Sequence, residues 1–266
     1  MNSKSVGEQR TVLYILGTRA VFLGHLDLVK QHRYASSTTV LGVNDSFRIR
    51  ADKDSQWHSM RSAFVPLDHP HELDLAGNVL GVYFWEPELD FAFRQKYPEL
   101  TDACFNGQLQ REKNWLELSQ YLFEHAPDAE EAKSLIDKEL ELSDITEAMY
   151  KSLDPRVQKI IQISVDEALH NESVEALAER VNLSSSRLGH LFKEQTGITL
   201  TRFRSFNRMR AVAFNFADGC SLTDGAIAAG YSDSSHFNRT FKDLFGIPPS
   251  SVFNRSGDFI LRIAKS

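Results

Sequence analysis

Near its C-terminal end the chain sets Ser234, Ser235, His236, Arg239 and Lys242 in a stretch of helical periodicity. Steps of four and three residues separate Ser235, Arg239 and Lys242, so one helix face would carry all three, with His236 on its flank. A guanidinium can fork onto a guanine edge, and serine or histidine can bond a base or a phosphate. Comparable chemistry lies 49 residues earlier, at Ser185, Ser186, His190 and Lys193. The same offset relates Leu188 to Phe237 and Gly197 to Gly246. A repeated helix with one apolar face and one short-polar, basic face is what reading two turns of DNA would need. Each good base contact would contribute about 1–3 kcal/mol of discrimination.

These faces need scaffolding. In the first unit Ser173 is a candidate N-cap, Ala176, Leu177 and Val181 supply an inward face, and Asn182-Leu183-Ser184 makes the turn. Leu188, Leu191, Phe192 and Gln195 form the apolar side of the reading helix. In the second unit Ala226 and Ala229 face inward, Gly230 turns the chain, Asp233 caps, and Phe237, Phe241, Leu244 and Phe245 form the stripe. The pattern predicts helices over 155–170, 174–181, 185–196, 200–217, 222–229 and 234–245. The long connecting helix carries Arg202, Arg204, Arg208 and Arg210 beside Phe203, Phe206 and Met209. Its arginines suit phosphate contacts or acidic neighbours equally well, and Arg208 is assigned a structural role.

The first half has another texture. Short apolar runs at 12–16, 39–43, 47–49, 63–66 and 79–84, separated by Asp-, Asn- and Gly-containing turns, predict an antiparallel barrel or sandwich. From Gly107, Trp115, Leu118, Leu122 and Phe123 recur at helical spacing, and Pro127-Asp128 starts a second helix through Ala132, Leu135 and Ile136. These two helices would either cover the barrel or form a subunit interface. Leu153-Asp154-Pro155 marks a boundary. The fold class is therefore α+β, with a sensor barrel over 1–106, a helical dimerisation or linker region over 107–154, and a reader over 155–266.

Composition agrees. A hydrophobic content of 42% supports packed cores. No apolar run approaches the roughly 20 residues that span a bilayer, so no membrane partner is expected. The polar start and the isolated Cys104 and Cys220 suggest a cytoplasmic protein with reduced thiols. Residues 155–266 hold 14 Lys and Arg against 11 Asp and Glu, a balance of +3 that leaves −9 for residues 1–154. That step suits an acidic partner for the second half.

Residues 226–242, AIAAGYSDSSHFNRTFK, followed by Gly246-Ile247-Pro248-Pro249, resemble the AraC/XylS family of transcription regulators. The resemblance covers Pro155 to Phe253. It implies two helix-turn-helix subdomains, at about 174–195 and 222–245, joined by a long helix and reading successive major-groove segments of double-stranded DNA. Carried over, the base-reading positions are Ser185, Ser186, Gly189 and His190, then Ser234, Ser235, His236 and Arg239. Three departures stand out. Gly225 replaces a usual isoleucine and should weaken its helix. Val252-Phe253 replaces Tyr-Arg, and Gly189 offers DNA no side chain. In the first half, residues 64–73 and 77–88 resemble the cupin-like strands of such sensors. That likeness implies a barrel that binds a small effector or serves dimerisation.

The resulting expectation is a sequence-specific regulator, an activator by resemblance. It would act on promoter occupancy or RNA polymerase recruitment, with a small effector or a homodimer as the control. Trp57, Phe64, Tyr83 and Trp85, with His71, are the candidate effector residues. His69 and His71 share a strand face near His58 and Glu72, which leaves a metal-dependent cupin enzyme fused to a reader as an alternative. The wider ligand spacing of such an enzyme is missing, and neither a metal nor a cofactor is assigned. No catalytic residues are assigned. An effector-independent regulator controlled by a protein partner is a further alternative.

Overall fold

The computed structural model describes residues 10–90, 112–140, 148, 150–166, 172–253 and 258–264; Cys104 lies outside them. Nine strands build the N-terminal half: β1 (Thr11–Leu16), β2 (Arg19–His25), β3 (Leu28–Arg33), β4 (Thr38–Gly42), β5 (Phe47–Arg50), β6 (His58–Met60), β7 (Ser62–Val65), β8 (Pro70–Asp74) and β9 (Val79–Phe84). A tenth, β10 (Phe259–Ala264), follows the helices. One sheet has the order β10-β1-β2-β9-β4-β7, and the facing sheet has the order β3-β8-β5-β6.

Side chains alternate across a strand, and here both faces of the larger sheet are buried. Leu13, Ile15, Phe22, Val82 and Phe84 face one side, where Phe47, Ile49 and Leu73 of the second sheet join them. Val12, Tyr14, Val21 and Tyr83 face the other. There α1 (Glu112–His125) and α2 (Ala129–Leu140) cover them with Trp115, Leu122, Ala132 and Ile136. The two helices predicted after the strands therefore cover the sheet.

The C-terminal half is helical: α3 (Pro155–Asp166), α4 (Val174–Glu179), α5 (Ser185–Thr196), α6 (Leu200–Ala217), α7 (Leu222–Ala228) and α8 (Ser234–Phe245). The architecture is α+β, a sheet-rich first half and a helix-turn-helix second half. Helix α6 is the spine. Phe203 joins the core of the first unit, and Phe206 and Met209 join the core shared by the second unit and the sheet.

The chain then returns to its start. Residues 259–264, placed with the helical domain by sequence alone, pair with β1 in parallel, from Thr11 opposite Phe259 to Leu16 opposite Ala264. A six-residue apolar run cannot announce which sheet it will join. Its effect is to tie the helical half to the N-terminal sheet through backbone hydrogen bonds.

The second tie is at the end of α8, which lies against β3. Gly246 ends the helix in the left-handed region (φ 71°). A Cβ there would lie 2.7 Å from the Lys30 carbonyl oxygen and 2.5 Å from His32 Nδ1. The left-handed conformation alone costs a non-glycine residue about 1–2 kcal/mol. Gly246→Ala should therefore lower the melting temperature by several degrees and expose β3 amides to hydrogen exchange, which thermal melts and exchange measurements would check.

Candidate nucleic-acid interface

Each reading helix is fixed by its caps. In the first unit the Ser173 hydroxyl accepts the Ala176 amide at 3.2 Å, and the Ser184 hydroxyl accepts the Arg187 amide at 3.3 Å. Asn182 turns the chain at φ 54°. Leu177 and Ala178 pack on Leu188, Leu191 and Phe192. This leaves Ser186, His190 and Lys193 exposed, with Ser185 and Gly189 partly so. Nothing lies within 4 Å of a Cβ built on Gly189, so that position faces open space. Ser185 is restrained, its hydroxyl 3.5 Å from Glu175 Oε1.

In the second unit Asp233 accepts the His236 amide at 2.8 Å, and this holds its carboxyl below the usual range. Gly230 makes the turn (φ 85°). Phe237, Phe241 and Leu244 are buried, while Ser235, Arg239 and Lys242 are exposed and Ser234 is partly so. The His236 ring is positioned: its Nδ1 is 3.2 Å from the Ser232 hydroxyl, and the ring stands edge-on to Tyr231 at 5.3 Å. Gly225, expected to weaken its helix, has a packing role instead. A Cβ there would come 3.2 Å from Asn215 Cβ, and Asn215 Nδ2 donates to the Gly225 carbonyl at 3.0 Å. The missing side chain lets α7 lie close on α6.

Both helices thus present the predicted faces to solvent. Two further residues on these surfaces escaped the sequence reading. Arg187 is exposed on α5 and Asn238 on α8, each in a row adjacent to the predicted one, which helical spacing alone could have marked. Lys193 and Lys242 end their faces and suit phosphates. Lys193→Ala and Lys242→Ala should each weaken binding to all sequences alike and lower the salt slope by about 1, measured by titrations at several salt concentrations.

The arginines of α6 point elsewhere. Arg202 donates to the carbonyls of Arg33 (2.6 Å) and Tyr34 (3.1 Å) and lies 3.7 Å from Asp68, all in the N-terminal half. Arg204 donates to the Glu172 carbonyl. Arg208 lies 5.3 Å over the Tyr231 ring, the structural role assigned to it. Arg210 is 6% exposed, and burial pushes its guanidinium down to about 10.

Arg210 borders an apolar cavity of about 70 Å³ between the N-terminal sheet and the helical half. Its walls include Leu13, Phe22 and Phe84 from the sheet and Phe206, Phe241 and Phe245 from α6 and α8. The five effector candidates lie elsewhere. Phe64, Tyr83 and Trp85 face α1 on the opposite side of the sheet, Tyr83 bonding Ser119 Oγ at 2.8 Å. Strand parity is the reason: Val82 and Phe84 face the cavity, so Tyr83 and Trp85 cannot. Trp57 lies beneath the guanidinium of Arg50 at 4.4 Å. His71 is fully buried in the second sheet, its ring 4.2 Å from that of His32 and 4.4 Å from that of Tyr34. Burial, and the other imidazole, hold His71 well below its ordinary range; burial lowers His32 to about 4. Among the described residues no group of three or more His, Cys, Asp or Glu could hold a metal ion, and no helix is long and apolar enough to cross a membrane.

A family model described as a helix-turn-helix domain matches residues 177–255. The arabinose operon regulatory protein of Escherichia coli K12 is 33% identical over 112 residues, 40% of this chain and 37% of that protein. The transcriptional activator RhaS of Escherichia fergusonii is 32% identical over 106 residues, 38% of this chain and 37% of the relative. The match therefore spans less than two-fifths of the length of these curated relatives. The crystal structure of unsaturated fatty acid-bound ToxT from Vibrio cholerae covers 88% of this chain and 94% of its own, with a TM-score of 0.52 and 12% identity. That likeness is one of fold, and it extends over both halves.

Proposed function

We propose that this chain is a member of the AraC/XylS family through its helix-turn-helix domain, and that the whole protein is an effector-modulated, sequence-specific activator of transcription. The observation that carries the reading is the pair of capped helices with matched exposed faces on one spine. Ser185, Ser186, Gly189, His190 and Lys193 serve the first major-groove segment, and Ser234, Ser235, His236, Arg239 and Lys242 the second. Activation, through promoter occupancy or RNA polymerase recruitment, is favoured by the kind of relative the reader matches.

The effector belongs in the cavity between sheet and reader. The walls are apolar, one buried guanidinium borders them, and a fold neighbour is recorded with an unsaturated fatty acid. An apolar chain with one carboxylate suits that site: the chain meets the aromatic walls and the carboxylate meets Arg210. Because α6 and α8 form part of the wall, an occupant bears directly on the spacing of the reading helices. The test is operator affinity with and without saturating decanoate. A change of several-fold is expected; an unchanged affinity, with decanoate shown to be bound, would remove the effector from the account.

A further inference from the structure

We propose that Asn207 fixes the charge of the effector: its neutral amide holds the Arg210 guanidinium at the cavity wall and leaves the positive charge uncompensated, so the counter-ion is the ligand's own carboxylate. Asn207 is thus a positioning residue that sets specificity. The inference rests on the cavity being the effector site. It adds what selects an anion over a neutral molecule of the same length.

Among the described residues Arg210 is the one charged group on the cavity wall. Asn207 lies one turn before it on α6, and the two are 1% and 6% exposed. Arg210 Nη1 donates to Asn207 Oδ1 at 2.8 Å, and the guanidinium carbon lies 5.9 Å from the centre of the Phe214 ring. The side chain is therefore held from both directions along its own helix. A guanidinium has donors only, so this bond turns the amide oxygen toward Arg210 and the amide nitrogen away. Asn207 Nδ2 and Arg210 Nε are both buried without a hydrogen-bond partner. Buried polar groups are ordinarily paired. Two open donors on one turn, one of them belonging to a cavity-wall side chain, mark a place kept for an acceptor from outside the chain.

The protein closes another buried arginine differently. Arg19, 4% exposed, is paired with Glu86 and with Asp137, the latter at 2.7 Å. Arg210 has no such partner among the described residues. Glu88 is the carboxylate whose field reaches it, and the two form no ion pair. Asn207→Asp would close Arg210 as Glu86 and Asp137 close Arg19. An oxygen would stay where Oδ1 is, the hydrogen bond would persist, and an entering carboxylate would meet a neutral pair.

That opposition of charge and hydrogen bond gives the test. Titration calorimetry of the full chain with decanoate and with decanol, at neutral pH and fixed salt, should show both bound by the unaltered protein. Asn207→Asp, nearly isosteric, should weaken decanoate about 10- to 150-fold, the worth of a charged hydrogen bond, and leave decanol unchanged. Asn207→Leu abolishes the hydrogen bond but spares the charge, and should weaken decanoate only a few-fold. The variant that keeps the hydrogen bond thus binds decanoate worse than the one that lacks it. A residue that merely supported the fold would give the reverse order, or lose decanoate and decanol alike, and either result would overturn the inference. Decanoate bound equally by the unaltered protein and Asn207→Asp would overturn it and leave the cavity reading standing. No binding of either ligand by the unaltered protein would overturn both. Should Asn207→Asp not fold, Asn207→Leu decides: decanoate weakened alone supports the neutral holder, and parallel loss of decanol contradicts it.

Discussion

Arg239→Ala is expected to weaken binding to the protein's operator by about 1–3 kcal/mol, roughly 5- to 150-fold, and to relax the base preference at a single position. Arg239 is exposed at the centre of the α8 face, one turn from Ser235 and from Lys242. Its apolar neighbours on the same helix, Phe237 and Phe241, are buried on the other side and hold the face outward. Removing the side chain therefore takes away a guanidinium without disturbing a core. The folded protein should melt as before, and non-specific binding should fall only by the loss of one charge. Binding isotherms on the operator and on single-base variants, at a stated salt concentration, separate these effects. Uniform weakening across all variants would make Arg239 a phosphate contact.

Phe203→Ala is expected to cost about 3–5 kcal/mol of stability, the usual cost of deleting a buried phenyl ring. Phe203 is fully buried, its ring 5.3 Å from that of Phe192, in the core that joins the first turn of α6 to α5. Phe206, one turn further, belongs to the other core. The damage should therefore centre on the first unit. Protection of the first DNA segment in a footprint should fade while that of the second persists, and the melting temperature should fall by roughly 10 °C. Equal loss of both segments would show that the two cores on α6 unfold together.

Much of the reader was legible because its signals are local. Helices α5, α6 and α8 have the bounds expected from periodicity, since Ser184, Thr199 and Asp233 cap their starts and Gly197 and Gly246 close two of their ends. Several strands announced themselves as apolar runs. The cavity did not, because its walls come from β1, β2, β9, α6 and α8, brought together only by the tertiary fold. Tyr83, one of the aromatic effector candidates, lies on the other side of β9 from this cavity, where every residue from Val79 to Phe84 is buried and no alternation betrays the facing. The return of β10 to β1 is the most distant pairing, and only the folded chain shows it.

The central claim is that two matched helices read DNA in register. Selection from genomic fragments by the full chain, beside Arg239→Ala and with decanoate present and absent, tests it most directly. The account predicts one enriched motif with two half-segments about one helical turn apart, its second half lost in the variant. Fragments enriched without a common motif, or the same motif recovered intact by Arg239→Ala, would contradict it.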